Sequence, residues 1–148
     1  LKKLGLLKKI TLHLISNTNK FKILKILRKN FDIVCFGGGK YLKEEIEYMK
    51  KISINPENIH QFEGGDNLLV SFYKNCEALI YPSKYEGFGL PILEAMSLGC
   101  PILSSNTSSL PEIYGDAALT FSPDSLENLI DCIKKITSDS LRALRICS

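Results

Sequence analysis

An alternation of short strand-like runs with longer helical stretches is the sequence feature that most constrains this fold. The strand-like runs are rich in apolar and β-branched residues and lie at residues 12–16, 32–37, 59–63, 78–81, 101–104 and 117–121. Strands that alternate with helices form parallel sheets, because each crossover helix returns the chain to the same end of the sheet. The sequence therefore predicts an α/β fold in one domain over residues 1–148, with a doubly wound, mostly parallel, Rossmann-like sheet of about six strands.

The stretches between these runs have helical periodicity, with one apolar face each. They lie at residues 20–30, 41–53, 67–75, 90–97 and 108–114, and a last helix follows Ser122 and Pro123. In the first helix, Phe21, Leu24 and Leu27 share a face. In the second, we expect the apolar stripe to consist of Leu42, Ile46 and Met49.

Charge is unevenly distributed along the chain. The formal net charge of the 148 residues is only +3, which does not indicate a nucleic-acid-binding protein. Residues 1–31 hold nine of the basic residues and no acidic one. We expect the lysines of residues 20–30 to lie on the solvated face of a helix, and the alternative is that the basic segment contacts an anionic membrane surface.

The ends of the chain and its cysteines indicate what kind of polypeptide this is. No apolar run approaches the roughly 18 residues of a membrane span, and no cleavage signal follows the first residues. The chain starts with Leu, so we expect a fragment or an excised domain. Its five cysteines are widely spaced with no CxxC pair, which predicts no zinc site, no disulfide framework and a cytoplasmic location. The isolated His13 and His60 are interpreted as structural.

Two glycine-containing loops follow predicted strands, where ligands of open α/β sheets bind. The first is a run of three glycines before Lys40, which lets a ligand approach the backbone closely. A dinucleotide-binding motif would need Gly where Leu42 stands, and a P-loop would need Ser or Thr where Tyr41 stands. A plain tight turn is the alternative interpretation of this segment.

The second loop precedes the helix at residues 90–97, and two of its glycines flank Phe88. Pro91 in the first helical turn and the free N–H groups beside it are typical of an anion-binding site. Glu86 before the helix and Glu94 inside it can accept hydrogen bonds from sugar hydroxyls on either side of a diphosphate. Alternatively, Glu94 only complements the helix dipole and Glu86 is solvated.

This second loop resembles the signature of group 1 glycosyltransferases, family 4 in the sequence classification, and the resemblance covers residues 17–137. The matching residues are Tyr81-Pro82-Ser83, Glu86-Gly87-Phe88-Gly89-Leu90-Pro91, Glu94-Ala95-Met96, Gly99 and Pro101, with further matches at residues 34–39, 104–106, 110–112, 115–118 and 122–123.

The resemblance implies a function for several residues. Members of this family have two Rossmann-like lobes in the GT-B arrangement, and this chain resembles the C-terminal lobe, which binds a nucleotide-sugar donor. By resemblance, Glu86 is the catalytic residue that contacts the donor sugar, and Glu94 binds the ribose. Main-chain N–H groups near the diphosphate would come from Gly87, Phe88, Gly89 and Leu90. The loops around Gly38 and residues 61–64 would border the nucleoside.

One departure from the family pattern concerns the residues after the first strand. The family places an Arg and then a Lys there to neutralise the departing diphosphate, whereas residues 15–21 contain Lys20 and no Arg. The loss of one charge-assisted contact predicts weaker donor binding or slower turnover. The family's N-terminal, acceptor-binding lobe has no counterpart in this chain, so we expect the isolated chain to be inactive.

The resemblance therefore implies transfer of a hexosyl unit from a nucleotide sugar to a glycan or lipid-linked acceptor, with retention of configuration. The sequence contains no Asp-x-Asp motif, so we expect no metal ion and no cofactor besides the donor substrate. Partners would be the donor and the acceptor, with no nucleic acid. Two alternatives stay open, a non-catalytic truncated remnant and a GT-B epimerase or phosphorylase.

Overall fold

The structure, a computed structural model, describes residues 8–12, 23–24, 27, 31–36, 41–51 and 59–137. The strands are β1 (Lys8–Leu12), β2 (Phe31–Phe36), β3 (Ile59–Phe62), β4 (Ala78–Tyr81), β5 (Ile102–Ser105) and β6 (Ala118–Phe121). The helices are α1 (Lys43–Lys51), α2 (Asp66–Asn75), α3 (Leu90–Ser97), α4 (Leu110–Tyr114) and α5 (Leu126–Thr137).

The six strands form one sheet in the order β3-β2-β1-β4-β5-β6. Every neighbouring pair is parallel, and β1 lies at the centre, where Thr11 is in register with Val34 of β2 and with Leu79 of β4. Connections therefore run outward from β1 in one direction and then, from β4, in the other. The predicted doubly wound parallel sheet is confirmed, and the reversal of strand order lies between β1 and β4.

The sheet buries both of its faces, as a parallel sheet covered by helices must. Side chains alternate between the faces along β4, so Ile80 packs in a cluster with Leu129 and Ile133 of α5. Leu79 and Tyr81 pack in the other cluster, whose helical members are Tyr73, Ile92, Ala95, Leu110 and Tyr114. Helices α2, α3 and α4 therefore pack on one face of the sheet, together with Leu79 and Tyr81 of β4.

The position of the first strand differs from the prediction. We expected residues 12–16, but β1 spans Lys8–Leu12, and residues 13–16 lie outside the described part of the chain. Lysine is depleted in strands, so the sequence pattern placed the strand after the lysine-rich segment. Pairing with both β2 and β4 outweighs that preference and fixes the earlier register. The bounds of the other strands differ by at most one residue at either end.

The predicted apolar stripe of α1 is also wrong in part. Met49 is buried, whereas Leu42 is 65% exposed and Ile46 is 37% exposed. This helix leads into β3, which is the edge strand of the sheet, so it has less apolar surface to cover than a helix over central strands. Of the first predicted helix, Leu24 and Leu27 are helical and buried together as expected, while Phe21 lies outside the described residues.

Candidate functional site

The candidate site lies at the carboxyl end of β4, beside the reversal of strand order, where open α/β sheets bind ligands. The sequence pointed to the loops after the second and fourth strands, and the reversal places the loops after β1 and β4 there. Residues 13–20 and 37–40 are outside the described part of the chain, so the predictions for Lys20 and Gly38 fall outside it too. The remaining predicted residues, Glu86 to Leu90 and Glu94, lie together on one loop and the helix that follows it.

Glu86 is held by hydroxyl groups rather than only solvated. The buried Ser83 Oγ donates to Glu86 Oε1 over 2.8 Å and also contacts the Tyr85 carbonyl over 3.0 Å. Burial raises the pKa of Tyr81 above its ordinary value, and the charge of Glu86 and a hydrogen bond to it raise that pKa further. The Tyr81 phenol thus stays protonated as a donor to Glu86, which fixes the carboxylate at the end of β4.

The backbone of the same loop is held by a cluster of hydroxyls between β5 and α4. Ser108 Oγ and Ser109 Oγ both donate to the Glu86 carbonyl, over 2.9 and 2.8 Å. Ser105 Oγ and Thr107 Oγ1 both donate to the Ser83 carbonyl, the latter over 3.2 Å. We call these four residues the hydroxyl clamp, namely Ser105, Thr107, Ser108 and Ser109.

Ser108 is the only non-glycine residue with a positive φ among the described residues, at 59°. This left-handed conformation costs free energy for a residue with a Cβ. It places Ser108 Oγ near both backbone groups of Glu86, since the Glu86 N–H also approaches that oxygen at 3.4 Å. The strain is therefore coupled to the position of the predicted catalytic glutamate.

Gly89 begins α3 in a conformation that requires glycine. Its φ and ψ of 68° and 43° are left-handed, and a Cβ on it would lie 2.9 Å from Leu110 Cδ2. A glycine N-cap offers no side chain to the first helical turn, so no side chain caps the N–H groups there. Pro91 has no N–H, and the Ile92 N–H donates to the Gly89 carbonyl over 3.0 Å. The positive end of the α3 dipole faces the loop without a side-chain cap, which suits an anion.

Three other predicted residues lie at this end of the helix, with Gly87 and Phe88 in the loop and Leu90 at the first helical position. A Cβ on Gly87 would meet nothing within 4 Å, so the space beside it is open to a ligand. The side chains of Phe88 and Leu90 are 60% and 59% exposed. The side chains of Phe88 and Leu90 therefore contribute little to the core.

Glu94 is an exposed residue of α3 with a defined partner on α2. The hydroxyl of the buried Tyr73 donates to Glu94 Oε2 over 3.3 Å. Burial and the charge of Glu94 raise the pKa of Tyr73 above its ordinary value, so the phenol remains a donor. Glu94 is not in the first turn of α3, which disfavours the alternative that it serves only the helix dipole.

Gln61 connects β3 with the start of α1, at the predicted nucleoside border. Its Oε1 accepts a hydrogen bond from the Tyr41 N–H over 3.0 Å. Glu45 Oε2 accepts the Leu42 N–H over 2.9 Å, as in a helix capping box. Gln61 therefore connects the edge strand β3 to the backbone just before α1.

His60, interpreted from the sequence as structural, contacts a buried carboxylate. Its Nε2 lies 3.2 Å from Oδ1 of the buried Asp32, across the β2–β3 pair. Within residues 59–137 and the other described segments, no three His, Cys, Asp or Glu side chains are grouped so as to hold a metal ion. No helix in the described part of the chain has the length and apolarity to cross a bilayer.

Tyr73 and the hydroxyl clamp are not among the residues that the sequence pattern predicts for the site. Four of the six residues at positions 104–109 are Ser and another is Thr, in a loop that follows the strand next to β4. That position at the carboxyl end of the sheet was a usable signal. Tyr73 carried no such signal, because its spacing in α2 is that of an ordinary core residue.

Comparison with known proteins gives matches in sequence and in structure. The family described as glycosyl transferases group 1 matches residues 13–146. The O-antigen chain mannosyltransferase B of Escherichia coli is 44% identical over 80 residues, which are 53% of this chain and 21% of that protein. The matched stretch thus corresponds to about a fifth of this curated relative.

Solved structures share the fold, and two of them serve as examples. The C-terminal domain of LpcC, a group 1 family glycosyl transferase of Francisella tularensis, superposes with a TM-score of 0.70 at 22% identity over 93% of this chain and 78% of that domain. HepE of Anabaena, solved in complex with UDP-glucose, superposes with a TM-score of 0.73 at 15% identity over 92% of this chain and 40% of HepE. At these identities the structures establish the fold alone.

Proposed function

This chain belongs to the group 1 glycosyl transferases, and from that premise we propose that the site after β4 is the donor-binding site of a hexosyltransferase. The donor is a nucleoside-diphosphate sugar, and the acceptor is a hydroxyl of a glycan or of a lipid-linked glycan. A mannosyl donor is favoured, because the E. coli relative described above is a mannosyltransferase.

The arrangement of two anchored carboxylates about one helix N-terminus carries this proposal. Glu86 is fixed by Ser83 on one side of the uncapped start of α3, and Glu94 is fixed by Tyr73 within that helix. Carboxylates accept hydrogen bonds from hydroxyls, and a helix N-terminus attracts a diphosphate. A nucleotide sugar has the matching order of groups, with ribose, diphosphate and sugar in sequence.

The proposed reaction breaks the bond between the sugar C1 and the diphosphate oxygen, and the bonding electrons leave with the diphosphate. The acceptor oxygen forms the new bond to C1 on the same face, with retention of configuration, and its proton passes to the leaving group. Negative charge grows on the diphosphate as the bond breaks, so the donors at the start of α3 stabilise the transition state more than the ground state. Glu86 orients the sugar through its hydroxyls.

We propose that this transfer needs neither a metal ion nor a cofactor. The N-terminus of α3 and Lys20 would neutralise the diphosphate in place of a metal, which agrees with the lack of an Asp-x-Asp motif in the sequence. A cytoplasmic location belongs to the same proposal, with a peripheral contact to the membrane where the acceptor is lipid-linked.

One observation favours a second candidate, a donor-binding remnant without catalysis. Residues 15–21 contain no arginine, and a lone Lys20 makes no bidentate contact with a phosphate. Such a chain would bind a nucleotide sugar without transferring it. A GT-B epimerase or phosphorylase has no comparable support.

Calorimetric titration tests the proposal directly. The folded chain is titrated with GDP, UDP and ADP and with their mannose or glucose conjugates. We expect one nucleotide series to bind, and Glu94→Gln to weaken it by roughly 10-fold, because the hydrogen bond to a charged carboxylate becomes a weaker one to a neutral amide oxygen. Glu112→Gln, an exposed change on α4, is the control and should leave the affinity unchanged.

The possible results bear on the proposed transferase, the proposed remnant and the donor site itself. Binding of a nucleotide sugar with release of free sugar or transfer to a hydroxyl acceptor supports the transferase. Binding without turnover by the isolated chain fits both candidates, because the isolated chain is expected to be inactive. Transfer by the same domain joined to an acceptor-binding lobe separates them, since the remnant stays inactive there too. No binding by a chain with a cooperative unfolding transition contradicts the proposed donor site.

A further inference from the structure

Two buried thiols lie side by side at the ends of α2 and α3. Cys76 Sγ is 3.3 Å from Cys100 Sγ, and the two residues are only 4% and 5% exposed. Both sulfurs also contact carbonyl oxygens, Cys76 that of Tyr73 over 3.7 Å and Cys100 that of Pro101 over 3.5 Å. The proposed donor site uses neither thiol.

Helix-terminal hydrogen bonds fix the backbone of both cysteines. The Cys76 N–H donates to the Phe72 carbonyl over 2.9 Å and ends α2. The Cys100 N–H donates to the Ala95 carbonyl over 2.9 Å, after the left-handed Gly99 that ends α3. The two sulfurs are thus held near each other by the helix ends, and closure to a disulfide bond needs a relative movement of only about 1.3 Å.

We propose that Cys76 and Cys100 form an oxidative modification site that a peroxide converts reversibly into a disulfide. The sulfur of one thiolate attacks the peroxide oxygen, the O–O bond breaks, and a sulfenic acid and water result. The second thiolate attacks that sulfur, the S–O bond breaks, and a second water leaves. Two thiols thus lose two electrons and two protons to one hydrogen peroxide, and a dithiol reductant reverses the change.

The bond would link the two helices that carry Tyr73 and Glu94. Cys76 and Cys100 are 24 residues apart in sequence, and the segment between them contains β4, the glycine loop and α3. Closing this loop lowers the entropy of the unfolded chain, so the oxidised protein should be more stable. This inference does not depend on the proposed donor site.

Two other described cysteines provide internal controls. Cys35 and Cys132 are also free and buried. Their sulfurs contact other groups, namely the Tyr41 hydroxyl at 3.2 Å and the Thr120 carbonyl at 3.3 Å. Burial alone is therefore common to all four thiols, and the thiol–thiol contact distinguishes the pair.

The test is oxidation of the folded chain with hydrogen peroxide, followed by alkylation, tryptic digestion and mass spectrometry without reduction. Trypsin cleaves after Lys74, Lys84 and Lys134, so Cys76 lies in one peptide and Cys100 in the next, which also contains Cys132. A Cys132→Ser background makes the assignment unique. We expect these two peptides to be linked, with the loss of about 2 Da that removal of two hydrogens gives.

Stability is the second readout. We expect oxidation to raise the Tm by on the order of 10 °C and a dithiol reductant to reverse it. Cys100→Ala should abolish both the linked peptides and the shift, while Cys35→Ala should preserve both. Singly oxidised cysteines without a link, linkage only after denaturation, or an unmodified pair after peroxide treatment would each overturn the proposal. Where a variant fails to fold, fragmentation of the linked wild-type peptides decides, because it separates Cys100 from Cys132.

Discussion

The hydroxyl of Tyr73 and the carboxylate of Glu94 connect α2 to α3 through a contact of 3.3 Å between a buried donor and an exposed acceptor. The contact orients a side chain that would otherwise have the rotamer freedom of a surface glutamate. An oriented carboxylate loses less entropy when it accepts hydrogen bonds from a ligand. Tyr73 is therefore expected to contribute to nucleotide binding without touching the ligand.

Replacing Tyr73 by Phe removes this hydroxyl and keeps the ring in the core. We expect the free energy of unfolding to fall by about 1 kcal/mol and the affinity for the bound nucleotide to fall a few-fold. Chemical denaturation and calorimetry measure the two effects. Tyr48→Phe, a change on α1 away from the loop after β4, is the control for the affinity and should leave it unchanged. An unchanged affinity in Tyr73→Phe would show that the contact does not orient Glu94 for binding.

Two substitutions of Ser108 separate the cost of its strained backbone from the stabilisation that its hydroxyl provides. Ser108→Gly relieves the strain at φ 59° and deletes the hydrogen bond to the Glu86 carbonyl, whereas Ser108→Ala deletes the bond and keeps the strain. We expect Ser108→Gly to be more stable than Ser108→Ala by about 1 kcal/mol.

Both Ser108 variants should nevertheless bind the sugar conjugate less tightly than the wild type, relative to the free nucleotide, because both loosen Glu86. The measurement is the ratio of the two affinities, which a general loss of stability does not change. Wild-type ratios in both variants would show that Ser109 Oγ, which also reaches the Glu86 carbonyl over 2.8 Å, suffices to hold the loop.

The sequence was sufficient for elements whose local pattern and tertiary environment agree. β4 and α3 have the predicted bounds, because Ala78–Tyr81 is a short continuous apolar run and Pro91 and Gly99 mark the helix ends. It was insufficient for β1, where strand pairing outweighs lysine's low preference for strands. Of the candidate site, the sequence indicated the two glutamates and the glycine loop. It could not indicate Tyr73 or the hydroxyl clamp, since those contacts join residues 21 to 24 positions apart.

Gly→Ala variants at three positions separate two reasons for a glycine, a lack of space for a Cβ and a left-handed backbone. An alanine at Gly89 would have an unfavourable left-handed φ, and its Cβ would also lie only 2.9 Å from a side-chain atom of Leu110. An alanine at Gly99 would have only the unfavourable left-handed φ of 65°, without a steric clash. An alanine at Gly87 would have neither cost. We expect the free energy of unfolding to fall by about 2–4 kcal/mol in Gly89→Ala, by about 1 kcal/mol in Gly99→Ala and by about 0 kcal/mol in Gly87→Ala. Chemical denaturation measures these losses. Equal losses at Gly89 and Gly99 would show that Leu110 moves aside at no cost.

The buried tyrosines predict a loss of stability at alkaline pH. Burial, with the charges of Glu94 and Glu86 as further causes, raises the pKa of Tyr73 and of Tyr81 above the ordinary value of 10.0. In the unfolded chain these phenols lose their protons near that ordinary value, while in the folded chain they keep them. Above pH 10 the unfolded state therefore binds fewer protons than the folded state, and the free energy of unfolding falls as pH rises.

Each such tyrosine adds a slope of up to about 1.4 kcal/mol per pH unit above its unfolded pKa. Denaturation of the wild type at several pH values between 9 and 11 should show the decline, which is absent below pH 9 for these groups. Tyr73→Phe and Tyr81→Phe should each reduce the slope, and the double variant should reduce it further, because Phe has no proton to lose. Tyr41, whose pKa burial also raises, retains its share of the slope in all three variants. A slope that is the same in the wild type and the double variant would mean that neither phenol is held protonated beside its glutamate.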